Sequence, residues 1–320
     1  MKKDSSIADT KYLNHLGKIK KEIKEKKSTV MLIKKCIIIN WELINQVIHW
    51  FLIALIIHSG CLVKNLFSPT KLFNPIYKTG HDVSDCHNYL FVYISDSCDP
   101  KNQVYYCELS GDKAGFNKDS PGRLTLTPLV DHFEAEYDYI ANDGTLFYFK
   151  TNKNAPKNKI ITIDLTKPQP ENWKVLIDEH KDDVLASVFC VNKDKLVLAY
   201  MHDVKDVMYL HQLTTGERIR QIDLEVGTIN GFSYRRNDDE FFYGFTSFLT
   251  PSAVYRYSFA KQESTLFRRS EVKGFNPDLF TTQQVFYNSK DGTKIPLFIV
   301  HKKGIELDGN NPSKFPPFFF

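Results

Sequence analysis

The chain has 320 residues, 42% of them hydrophobic, enough to bury the core of one large all-β domain or of two domains, which excludes an intrinsically disordered polypeptide. Its 42 Lys and Arg against 38 Asp and Glu leave a net charge of +4, and much of that excess lies before residue 36. The remainder is nearly neutral, so no electrostatic footprint of nucleic-acid binding is expected.

Residues 1–35 are Lys-rich, and KIKKEIKEKK at 18–27 interleaves two glutamates at helical spacing, the pattern of a solvated helix or a polar arm. Residues 47–63 are nearly continuous in large apolar side chains, interrupted by His49, His58, Ser59 and Gly60. The run is a little short of the ~20 residues that span a bilayer as a helix. As a signal anchor it would keep the preceding lysines on the cytoplasmic side. A cleaved signal peptide fits poorly, because the basic region is too long and no A-x-A site follows. An apolar helix packed on the body is the remaining physical reading. Pro69, Pro75 and Gly80 mark residues 64–80 as a linker.

From His81 onward the texture changes to short alternating runs broken by turn residues, and the 24 Phe and 16 Tyr suit strands better than helices. The spacing predicts strands at 89–95 and 104–109, a polar loop at 110–123 and a short strand from Leu124. It then predicts three clearer units: 137–141, 146–150, 160–164 and 173–177; 185–191, 195–200, 207–213 and 218–223; 228–234, 240–245, 253–258 and 265–267. Asp143-Gly144, Lys193-Asp194 and Asn237-Asp238 fall at matching turns between the first and second strand of each unit. A repeat of ~45 residues with four short strands is the mark of a propeller, although a sandwich would also show short strands and turns. Finally, Asp291-Gly292 between runs at 285–287 and 295–300 predicts a hairpin, since Gly accepts the positive φ that tight turns require.

The stretch QQVFYNSKDGTKIPLFIVHKKG (283–304), together with SDSCDPKNQVYYCEL (95–109), EAEYDYIANDGTLFYFKTNKNAP (134–156) and FYGFTSFLTPS (242–252), resembles the prolyl oligopeptidases. These are serine peptidases in which a seven-bladed β-propeller caps an α/β-hydrolase. The resemblance covers about three quarters of the chain, and it implies a mainly β fold with a partial propeller of about four blades. Three parts are therefore expected. Residues 1–80 form a segment that resembles none of the blades the family carries there, 81–280 a partial propeller, and 281–320 the start of a hydrolase domain. The unmatched ends at 1–80 and after Ser313 suggest an incomplete gene sequence.

An α/β-hydrolase needs its serine on a sharp, glycine-flanked turn, and no G-x-S-x-G occurs in these 320 residues. By resemblance, no catalytic Ser, Asp or His is expected in the chain, which should be inactive alone. His132, His180, His202 and His211 have carboxylates nearby in sequence but no serine or cysteine in a strained turn, so all four read as surface or turn histidines. Asp182-Asp183 and Asp238-Asp239 read as solvent-facing turn residues. One residue carries a sharper expectation: Cys98 stands where the family places a propeller cysteine at the mouth of the active-site cavity, and it is the one substrate-pocket candidate. A plain small residue in a strand-to-strand loop is the competing reading.

The six cysteines are dispersed, with no CxxC and no histidine at metal-ligand spacing, so neither a metal nor a cofactor is expected. Free thiols, together with the absence of an Asn-x-Ser/Thr acceptor, favour the cytoplasm, with membrane anchoring through 47–63 as the alternative. For the complete family enzyme the resemblance implies cleavage of short peptides after proline, with the propeller excluding folded proteins. Two alternatives stay open for this chain: a peptidase propeller, or a membrane-tethered, non-enzymatic binding module. A four-bladed arc would expose sheet faces and edges and should self-associate.

Overall fold

The computed structural model describes residues 77–109 and 125–313; the basic arm, the apolar run at 47–63 and the final KFPPFFF residues lie outside the described residues. No helix among the described residues is long and apolar enough to cross a membrane. The described chain is almost entirely β. Four antiparallel four-stranded sheets follow one another, each built from consecutive strands in the order in which they occur.

The first sheet comprises β1 (Tyr77–Val83), β2 (Tyr89–Asp96), β3 (Asn102–Glu108) and β4 (Thr127–Val130). Its first strand begins within the stretch expected to be a linker, because Lys78 and Thr79 pair with Ser95 and Ile94 of β2. The second sheet comprises β5 (Tyr137–Asp143), β6 (Leu146–Thr151), β7 (Lys159–Asp164) and β8 (Lys174–Ile177). The third contains β9 (Val184–Val191), β10 (Lys195–His202), β11 (Lys205–Gln212) and β12 (Arg218–Ile222), and the fourth β13 (Thr228–Ser233), β14 (Glu240–Thr246), β15 (Ala253–Ser258) and β16 (Glu263–Arg269). A two-stranded sheet of β17 (Phe280–Asn288) and β18 (Lys294–Lys302) follows, turning through Gly292 at φ 84°.

The sheets are sandwiched face to face, which explains why their second strands read as unbroken apolar runs rather than as alternations. In β6, Phe147 and Phe149 point into a core shared with Phe91 and Val104 of the first sheet and Tyr137 of their own, whereas Tyr148 points the other way, towards Leu185, Leu196 and Leu198. The same division recurs in β10: Leu196 and Leu198 face the second sheet, while Val197 joins Phe241, Tyr243 and Phe245 of the fourth. Each of these fully buried side chains contributes about 1.5–3 kcal/mol through burial. Outer strands carry a different pattern. β16 is exposed at six of its seven residues, with Leu266 and Phe267 open to solvent. Three first strands also contain an irregularity, at Tyr139/Ala141, at Ile229/Gly231 and opposite Ala199/Tyr200, as expected where a strand must bend.

Candidate functional site: the loop face that carries Cys98

Strand direction alternates within each sheet, so the connections divide into two sets. The turns between first and second strands leave one end of the sheets. The turns between second and third strands, together with the segments joining one sheet to the next, leave the other.

Cys98 lies in the second set, in the β2–β3 turn beside Ser97, which sits at φ 62°. It is exposed, and its Sγ accepts from Lys78 Nζ of β1 at 3.8 Å. The turn is tied to its neighbours by backbone carbonyls. Asn152 Nδ2 donates to Pro100 O at 3.0 Å, and Asn102 N donates to Ala135 O at 2.9 Å. Asn102 is itself buried, and its side chain both donates to Tyr137 O and accepts from Tyr137 N, each at 3.0 Å. A single asparagine therefore satisfies both backbone groups where β5 begins, locking the Cys98 turn to the second sheet.

Further along this face Lys157 donates through its backbone to Glu179 and through Nζ to Lys181 O. Asp183 follows, 4% exposed and thus buried, which corrects the expectation that Asp182-Asp183 both point to solvent. The reason is a hydrogen-bonded cluster. His202 Nδ1 donates to Asp183 Oδ1 at 2.6 Å, while His180 Nδ1 accepts from Asp183 N at 2.9 Å. A carboxylate only accepts and a backbone N–H only donates, so His202 presents an Nδ1 proton to Asp183, while His180 receives the Asp183 amide on Nδ1. His211 is a second correction: it lies buried at 8% exposure, donating through Nδ1 to Gly216 O at 2.9 Å. Burial, with a smaller contribution from Arg218, keeps its pKa below the ordinary histidine value, so it favours the neutral form. His132 is a surface residue, as expected, its charged form stabilised by hydrogen bonds from its ring to Asp131 and Glu134. None of these four histidines hydrogen-bonds a serine or cysteine, so they provide no nucleophile–base pair.

The β17–β18 hairpin rests on the same face. Gln284 Nε2 donates to Asp203 O in the β10–β11 turn at 2.6 Å, and the Phe298 ring lies 5.3 Å from that of Phe248 in the β14–β15 turn.

The opposite end carries an assembly for which the sequence held no signal. Arg236, in the β13–β14 turn, donates through Nε to Lys193 O at 2.8 Å, through Nη1 to Asn142 O at 2.5 Å and through Nη2 to Asp143. Its Nη1 also lies 3.7 Å from Asp85 Oδ2. Its partners lie in or at the edge of the corresponding turns of the other three sheets. Nearby, Cys86 Sγ receives Asn142 Nδ2 at 3.3 Å and lies 3.3 Å from Ser84 Oγ. Burial opposes its ionisation, but these contacts outweigh it and lower its pKa. Cys107 and Cys190 are buried within the apolar runs. Burial pushes the Cys190 thiol up to about 12.

Comparison with known proteins matches residues 71–270 to the family described as prolyl oligopeptidase, N-terminal beta-propeller domain. The dual function macrocyclase-peptidase POPB of Amanita bisporigera is 35% identical over 243 residues, 75% of this chain and 32% of that protein. A prolyl endopeptidase of Elizabethkingia miricola is 32% identical over 61% of this chain and 27% of its own length. Among solved structures, apo prolyl oligopeptidase B from Galerina marginata superposes with a TM-score of 0.66 at 36% identity, over 73% of this chain and 32% of that one. The same Galerina protein bound to a 25mer macrocyclization substrate gives a TM-score of 0.64. The chain thus spans about a third of the length of the first of these relatives.

Proposed function

We propose, from the premise that this chain belongs to the prolyl oligopeptidase family through its N-terminal β-propeller domain, that its four sheets supply part of the wall that filters short, proline-containing peptides on their way to a serine peptidase centre. In this reading the β17–β18 hairpin is the first element of an α/β-hydrolase, and the face carrying Cys98 looks towards it. The observation that supports it is the seating of the hairpin on that face, through Gln284 on Asp203 and Phe298 against Phe248. The 320-residue chain contains no glycine-flanked elbow serine, so on this proposal it hydrolyses nothing by itself. Membership in the filter requires that peptides pass close to Cys98.

The test is alkylation of Cys98 by a maleimide, followed by peptide mass spectrometry, with and without an excess of a short proline-containing peptide. Slower labelling of Cys98, with unchanged labelling of Cys86 at the opposite end, is the expected result. Equal labelling of Cys98 in both arms would remove it from the peptide path. Cleavage of a quenched proline-containing peptide by the purified chain would overturn the inactive reading.

A further inference from the structure

Where the third sheet hands over to the fourth, the connection between β12 and β13 leaves a cleft of about 310 Å³, lined by Asp223, Glu225, Tyr243, Phe245, Tyr255 and Ser264 among others. This is at the lower end of the ~300–1,000 Å³ typical of small-molecule sites. Its wall is aromatic. Tyr243 and Tyr255 stack with centroids 5.3 Å apart and planes 12° from parallel, and Phe245 meets Tyr255 edge-on at 6.0 Å. Its rim is acidic, since Asp223 and Glu225 are both exposed and neither is held in an ion pair among the described residues. Of the arginines nearby, Arg256 is paired with Glu240, while Arg220 donates to the neutral amide of Gln262. At the bottom Ser264 Oγ is buried without a hydrogen bond of normal geometry, next to the Tyr243 hydroxyl. Burial keeps that hydroxyl above its ordinary pKa, against the opposing effect of Ser264 and with smaller contributions from Tyr255 and Glu225.

We infer that this cleft binds a small organic cation of the alkylguanidinium or alkylammonium class. An aromatic wall attracts a cation through the negative faces of its rings, and two carboxylates that no ion pair holds among the described residues supply the complementary charge. The apolar stem would lie along Leu224 and Phe245, with the cationic head at the Asp223 and Glu225 carboxylates. The β12–β13 connection leaves on the same loop face as the Cys98 turn, but the inference does not rest on the peptide-filter reading, because none of these residues touches that turn.

The test is calorimetric titration of the full 320-residue chain with butylguanidinium and with its neutral isostere butylurea. Butylguanidinium should bind saturably with a Kd on the order of 1 mM or tighter at low salt, weakening as salt is added, and butylurea at least about 10-fold more weakly. Glu225→Gln combined with Asp223→Asn alters two exposed side chains and should weaken butylguanidinium binding roughly 3–10-fold. Tyr255→Leu should weaken it about 3–30-fold through loss of the ring face. Equal affinity for the two probes, or an unchanged Kd in the carboxamide double variant, would overturn the assignment.

Discussion

The guanidinium of Arg236 donates to the carboxylate of Asp143, 93 residues earlier, and so couples the fourth sheet to the second. Its Nε and Nη1 reach the carbonyls of Lys193 and Asn142, which brings in the third sheet. Only a planar fork with several fixed donors can serve three acceptors in different directions at once.

Arg236→Ala should therefore destabilise the protein by about 1–3 kcal/mol, because it leaves two carbonyls and a carboxylate short of a donor. Arg236→Lys should recover less than half of the loss. Equilibrium urea unfolding of the three proteins measures this. A lysine variant as stable as the parent would show that charge, rather than the fork, is what matters.

His211 sets a pH dependence. Burial lowers its folded pKa below 6.5, so below that pH the unfolded chain takes up a proton that the folded chain resists. Stability is unaffected above the unfolded pKa and falls as pH drops from about 6.5 towards the lower folded value. His211→Gln, which keeps a donor for Gly216 O, should lose less stability than the parent between pH 7 and pH 5. Parallel stability curves for the two proteins would contradict the buried neutral histidine.

The thiols should separate by reactivity. Cys86 is exposed and its pKa is lowered by Ser84 and Asn142 against the effect of burial, whereas Cys190 is buried and pushed up to about 12. Native labelling with a maleimide at pH 7 should therefore modify Cys86 and spare Cys190 until denaturant is added. Asn142→Ala should slow the labelling of Cys86, because the thiolate loses a donor. Peptide mass spectrometry over a time course reads both effects.

Phe298 packs the hairpin against the fourth sheet through Phe248, which stays 61% exposed beside it. Phe298→Ala should raise amide exchange across β17 and β18 while leaving β6 and β10 protected. Exchange rising equally in all four strands would mean that the hairpin is not a separable unit.

The sheets were legible because their second strands are long apolar runs and their turns carry residues that tolerate positive φ, such as Gly144 and Asn192. Period and turn chemistry sufficed to find all three later units within a few residues. The first strand of the first sheet was obscured because five of its residues are exposed and its first half, through Gly80, falls in the stretch that reads as a linker. Asp183 and His211 were misjudged for a different reason. Adjacency in sequence suggests a solvated turn, but the partners that compensate their burial, His202 and Gly216 O, are supplied by other strands or turns. Arg236 shows the same limit, since four turns must be assembled before its role exists.

Every sheet closes from strands that are neighbours in sequence, so none has to wait for a distant partner. During synthesis the first sheet can pair before the second has left the ribosome, and each new unit then finds an apolar face already waiting. Contacts such as Arg236 to Asp143 can form only once the first turn of the fourth sheet has been made. They make the β13–β14 turn a checkpoint on the corresponding turns made before it, and translation order becomes assembly order.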